Sequence, residues 1–138
     1  VGKVSKTSPI GKMFIQPKVQ LESGEQVLLD EVIGNDFAIL AWGVDPQWGI
    51  SDATMQQWKK LGVKFIQVIP AVQLSNPIRK HYEGVITVGD VGIDIRTWFG
   101  KTSDSVVILR PDRFVAALAI PQNLDQVSQQ LFAKLYAK

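Results

Sequence analysis

Residues 37–42 read Phe-Ala-Ile-Leu-Ala-Trp, a run without a single polar side chain, bounded by Asn35-Asp36 on one side and Gly43 on the other. A run of this length and composition predicts a strand buried on both faces. Residues 63–69, mostly apolar, predict the next buried strand, stopped by Pro70. Between the two runs the spacing changes. Residues 43–49 contain Gly, Asp and Pro and predict a loop. From Asp52 to about Leu61, Met55 and Trp58 share an inward helical face, Ser51 or Asp52 can cap the start, and Gly62 stands at the position after the C-cap. Strand, loop, helix and strand in this order make a β-α-β unit, which favours a parallel pair with a right-handed crossover.

The flanking segments are shorter. Pro17, followed by alternating Val19 and Leu21, predicts an edge or irregular strand. Residues 27–34 predict a strand and a single helical turn closed by Gly34. Residues 85–88 form a short strand candidate, and residues 78–82 can form one helical turn after Asn76-Pro77. Residues 92–99 carry Ile95, Trp98 and Phe99 on one helical side. Residues 106–117 read as a hairpin of two buried strands, with Pro111 at the second and Asp112 at the third turn position. In the last segment Leu124, Val127, Leu131, Phe132 and Leu135 keep helical spacing, with Asn123 as cap and Gln126 completing a capping box. This order predicts an α/β fold, a mixed sheet flanked by helices on both faces, of thioredoxin-like arrangement. Residues 1–10, with Gly, Ser, Thr, Pro and two lysines, read as a linker or tail, and residues 11–138 as a single domain.

Composition narrows the chemistry. The chain has 138 residues and no cysteine. Disulfides, thiolate metal sites and Cys nucleophiles are therefore excluded, and a reducing cytoplasm is expected. A redox enzyme of this fold would place Cys-x-x-Cys at the start of the helix after the first core strand, where the helix N-terminus stabilises a thiolate. Residues 42–47, Trp-Gly-Val-Asp-Pro-Gln, hold that place. Residues 102–105 also lack the proline that thioredoxins carry before the hairpin. The net charge is +2 and the basic residues are mostly scattered, which speaks against nucleic acid as a partner. No apolar run approaches the roughly 20 residues of a membrane span, and the first residues show no signal-peptide pattern. The initial Val1 suggests processing or excision from a longer chain.

Few side chains are candidates for a site. His81 is the only histidine, so a nucleophile–His–carboxylate set can form only through it, and its neighbours Lys80, Tyr82 and Glu83 read as solvated. Asp90 and Asp94 have helical i, i+4 spacing and read better as a solvated helix start than as metal ligands. Asp30 and Glu31 do not add calcium-loop spacing. Gly89 and Gly92 lack the third glycine of a dinucleotide fingerprint. Trp42, Trp48, Trp58 and Trp98 could line an aromatic pocket; Trp58 and Trp98 read as core residues, and Trp48, in a polar loop, is the candidate for a partner surface. Arg110 and Arg113 flank the hairpin turn and can pair with Asp112 or a carboxylate of another domain. Exposed turn charges of this kind contribute little.

Four stretches carry a resemblance: Gly-x-x-Phe-x-Gln-Pro at 11–17, Leu-Leu-Asp-Glu-x-x-Gly-x-x-Phe at 28–37, Trp-x-x-Leu-Gly at 58–62, and Leu-Arg-Pro-Asp-Arg-Phe-Val-Ala at 109–116. In this order they resemble the C-terminal thioredoxin-like domain of FAD-dependent aromatic hydroxylases, of the 3-(3-hydroxyphenyl)propionate and, more distantly, phenol hydroxylase type. The resemblance implies the C-terminal part of a longer cytoplasmic monooxygenase that uses FAD, NAD(P)H and molecular oxygen. It implies a non-catalytic domain with a structural or dimerisation role, whose partners are the N-terminal FAD and substrate region and a second copy. It carries no catalytic, cofactor-binding or metal-binding position onto any residue of this chain. The alternative is a free-standing thioredoxin-like binding module without redox activity, using loop 43–49 and Trp48.

Overall fold

Alternation inside the central strands decides the architecture. The structure, a computed structural model, describes residues 8–136. Residues 1–7 of the expected linker and residues 137–138 of the expected domain lie outside the described residues. In chain order the elements are β1 (Lys18–Gln20), β2 (Gln26–Leu28), α1 (Leu29–Ile33), β3 (Ala38–Trp42), α2 (Asp52–Lys60), β4 (Lys64–Pro70), β5 (Val85–Asp90), α3 (Asp94–Gly100), β6 (Val106–Leu109), β7 (Val115–Ala119) and α4 (Leu124–Leu135). Short 3-10 turns precede α4 and follow β4.

The strands form one seven-stranded sheet of order β2-β1-β5-β4-β3-β6-β7. The β3/β4 and β4/β5 pairs are parallel, and the remaining pairs are antiparallel. In β3, Ala38 and Leu40 face one core while Ile39 and Ala41 face the other, all fully buried. The first core includes Leu29, Ile33, Ile95 and Phe99 from α1 and α3; the second includes Trp58, Leu124 and Phe132 from α2 and α4. Helices therefore cover both faces, which is why the central strands carry no polar alternation. Each fully buried Leu or Ile contributes about 1.5–3 kcal/mol.

Several expectations need correction. The strand after Pro17 is not an edge: β1 pairs with β2 on one side and β5 on the other. Pro17 stands just outside it, and its missing N–H breaks no ladder. Strand β4 runs through Pro70, which pairs with Asp90, and β5 extends to that residue. Residues 78–82 are not helical. Arg79 there donates from Nε to the Leu74 carbonyl (3.1 Å) and pairs with Glu22, so tertiary partners order the segment. Asn123 makes no side-chain cap to α4; Pro121–Asn123 form a 3-10 turn that leads into the helix. Leu135, at the last position of α4, is exposed. The hairpin has one fully buried strand, β6, whereas β7 is the sheet's edge and its middle residues are half-buried.

Candidate functional site

The place that a thiol would occupy in a redox relative lies between β3 and α2. Here residues 43–50 form a chain of turns. The Asp45 carboxylate accepts from the Gln47 amide (2.9 Å), and the Trp48 and Ile50 amides donate to the Asp45 and Gln47 carbonyls. Ser51 then caps α2, its Oγ accepting from the Thr54 amide at 3.3 Å. The Ser51 amide itself donates to Asp125 Oδ1 at 2.8 Å, from the first turn of α4. The Ser51 amide, then the Thr54 hydroxyl, hold the Asp125 carboxyl below its ordinary value near 3.8, against an opposing effect of burial; the Ser51 hydroxyl adds to the lowering. The electropositive end of α2, which in a redox protein stabilises a thiolate, here receives an internal carboxylate.

Two clefts flank the loop. One, of about 400 Å³, is lined by residues including Val44, Asp45, Trp48, Lys80, Tyr82 and Pro121. The other, of about 690 Å³, includes Asp45, Gln47, Lys59, Phe65, His81 and Glu83. Trp48 is 54% exposed, as its place in a polar loop suggested. His81 is exposed and makes no hydrogen bond or ion pair among the described residues. No serine, threonine or cysteine lines its cleft, so the hydroxyl or thiol of a nucleophile–His–carboxylate set does not stand beside it there.

The remaining candidates fall apart in space. Asp90 ends β5 and Asp94 begins α3, so they do not share a helix face. Asp90 is buried, and its Oδ2 accepts from the Arg96 amide in the first turn of α3 at 3.0 Å. It supplies the cap that Ile93 cannot. Gly89 is needed for packing: a Cβ there would lie 2.7 Å from Ala71 Cα. With Gly89 pressed on its own chain and Asp90 holding the start of α3, this turn does not fit the pyrophosphate of a dinucleotide. Among the described residues no cluster of three or more His, Asp or Glu could hold a metal ion, and no helix is long and apolar enough to cross a membrane. Trp58 is fully buried, whereas Trp98 is half-buried against Phe14 and Phe99.

Arg113 does more than its turn position indicated. It has φ +71° and closes the turn by donating its amide to the Arg110 carbonyl (2.8 Å). Its guanidinium leaves the hairpin and reaches α1. Nε donates to Asp30 Oδ1 at 2.7 Å, Nη1 to the Pro111 carbonyl at 2.7 Å, and Nη2 to the Gly34 carbonyl. Only Arg110 pairs with Asp112, and that pair is exposed. Sequence reasoning also missed the buried Trp58 Nε1–Ser128 Oγ bond (2.9 Å) and the Thr54 hydroxyl that accepts from Gln129 (2.6 Å). A small polar residue on the inward side of α4, one helical turn after Leu124, is the available signal for the first.

The chain is 52% identical over 124 residues to the 3-(3-hydroxy-phenyl)propionate/3-hydroxycinnamic acid hydroxylase of Klebsiella pneumoniae, a match covering 90% of this chain and 22% of that protein. The hydroxylase of the same name from Escherichia coli O139:H28 is 51% identical over 127 residues, covering 92% of this chain and 23% of that protein. The chain thus spans less than a quarter of the length of these curated relatives. Among solved structures it is similar to a thioredoxin-like protein from Bacteroides caccae, with TM-score 0.63, 16% identity, and coverage of 88% of this chain and 49% of that one. It is also similar to the C-terminal domain of an uncharacterized protein from Bacteroides fragilis, with TM-score 0.68, 12% identity, and coverage of 89% and 96%. These likenesses show the fold, which is thioredoxin-like. A family model described as the HcaD C-terminal domain matches residues 11–134, and the chain belongs to that family.

Proposed function

We propose that this chain is the non-catalytic C-terminal domain of a cytoplasmic, flavin-dependent aromatic monooxygenase. Residues 11–138 form the domain and residues 1–10 its link to the rest. Its role is structural: it packs against the region that binds FAD, NAD(P)H and the phenolic substrate, and a contact between two copies is a further use of the same scaffold. The observation that carries this reading is the identity above 50% over about nine-tenths of the chain, confined to less than a quarter of hydroxylases. The cysteine-free sequence supports it, because the fold's usual thiol chemistry is unavailable.

The genomic reading frame upstream of Val1 tests it; an in-frame flavin-binding region is expected. The purified 138-residue chain is expected to be colourless and to leave NADPH unoxidised. Tight co-purification of flavin would overturn the non-catalytic assignment. A second reading, a binding module, draws on exposed Trp48 between two clefts. It predicts saturable quenching of Trp48 fluorescence by a small aromatic ligand, lost in Trp48→Phe.

A further inference from the structure

A group of exposed apolar side chains lies near the start of the described chain, beside Trp98. Met13 (56% exposed), Ile15 and Ile93 (66% exposed) project around Trp98. Two clefts meet there, one of about 320 Å³ bounded by Ile15, Pro17 and Ile93, the other of about 170 Å³ bounded by Pro9 and Met13. Trp98 and Lys101 line both. The face is rigid from beneath. Trp98 packs edge-on against Phe14 (4.7 Å between centroids) and Phe99 (5.0 Å), both buried. The segment before β1 is held by Gly11 and Phe14 amides donating to the Val115 and Arg113 carbonyls, at 2.9 and 2.8 Å. A preformed apolar surface around an aromatic residue is the anatomy of an interface core rather than of scattered surface hydrophobes.

We infer that this Met13–Ile15–Ile93–Trp98 face seats the preceding part of the same polypeptide, an apolar ridge of the flavin- and substrate-binding region. The inference rests on the proposed function and names the surface through which the domain packs. Chain length identifies the occupant. The matched relatives are more than four times longer than the aligned stretch, and the family is a C-terminal domain. In a hydroxylase-length chain most of the protein therefore precedes residue 11 and arrives beside Pro9 and Met13. Contact within a chain is favoured by its high effective concentration, and inter-domain interfaces commonly bury about 600–1,500 Å². Lys101, at the seam of the clefts, would receive a carboxylate or carbonyl from the ridge.

Carbene footprinting of the 138-residue chain and of the hydroxylase-length polypeptide tests the surface. Labelling at Met13 and Ile93 should fall about five-fold or more in the longer protein, since interface cores are nearly dry. Labelling at Val72 and Ile78, exposed on the segment after β4, should stay unchanged. In the longer protein, Met13→Glu and Ile93→Glu should each restore labelling of Trp98, while the melting temperature of the isolated domain should stay within about 2 °C, as expected for exposed positions. Protection of another face with Met13 and Ile93 still labelled would overturn this surface and leave the proposed function standing. A reading frame without an upstream region, or a longer protein with no protected face, would overturn both.

Discussion

Replacing Arg113 tests how the hairpin is locked to the rest of the domain. Its side chain is about nine-tenths buried and bridges residues more than 75 positions apart, Asp30 and Gly34 on one side and the hairpin turn on the other. Arg113→Ala removes the bond to the Asp30 carboxylate, which is charge on charge, and leaves the Gly34 carbonyl short of a donor. Hydrogen bonds to charged groups contribute about 1.5–3 kcal/mol, and an orphaned acceptor costs about 1–3 kcal/mol if water cannot reach it. Asp30 is partly exposed and recovers some solvation, so a loss of about 2–4 kcal/mol is expected. For a domain of this size that lowers the melting temperature by roughly 6–15 °C. Backbone conformation supplies a second, sharper comparison. At φ +71° an L-residue is strained by about 1–2 kcal/mol, and glycine is not, although glycine gives back part of that through unfolded-chain entropy. Both variants forfeit the same guanidinium hydrogen bonds, so Arg113→Gly should melt above Arg113→Ala. Arg110→Ala should cost less than about 1 kcal/mol, because its pair with Asp112 is exposed. Urea unfolding and thermal melts by circular dichroism read all three. Equal losses at Arg110 and Arg113 would refute the clamp, and a glycine variant weaker than the alanine variant would refute the backbone-strain reasoning.

Other expectations follow from the two cores and their polar contacts. Leu109→Asp puts a charge at a fully buried β6 position and should cost several kcal/mol, about the whole stability of a domain, so an unchanged melt would remove β6 from the core. Ser128→Ala orphans the buried Trp58 indole N–H and should cost about 1–3 kcal/mol in urea unfolding, with a change in Trp58 fluorescence; a neutral result would mean the indole has another acceptor. Asp125 binds its proton less readily folded than unfolded, so its contribution is complete above its ordinary value near 3.8 and is lost as pH falls through the lower folded value. Asp125→Asn should flatten that part of the acid-unfolding curve, which pH-dependent denaturation measures. An identical acid limb in the variant would show that the Ser51 amide does not hold the carboxylate.

The apolar run at 37–42 and the mostly apolar run at 63–69 reached the structure as adjacent parallel strands, because a sheet covered on both faces buries neighbouring positions alike. The cap at Ser51 and the glycine after α2 were legible for a related reason, since both satisfy local backbone requirements within a few residues. Segments whose order comes from distant partners were misread. The stretch after β4 is pinned by Arg79 to Glu22, and α4 starts from a 3-10 turn instead of an asparagine cap. The aspartates at 90 and 94 looked like one helix face. Asp90 instead belongs to a strand, and its carboxylate reaches across to cap the next helix.

By itself the sequence determined that no thiol chemistry is available and that two covered faces enclose a central sheet, since both follow from residue identity and short-range periodicity. Its local words also led to the family that the comparison then showed. Only the tertiary structure decided that Arg113 clamps the hairpin to α1, that Asp125 sits at the start of α2, and that Met13, Ile15 and Ile93 gather around Trp98. Each of these joins residues far apart in the chain. Periodicity reports which way a side chain points from its own element, whereas its partner depends on how the elements are stacked.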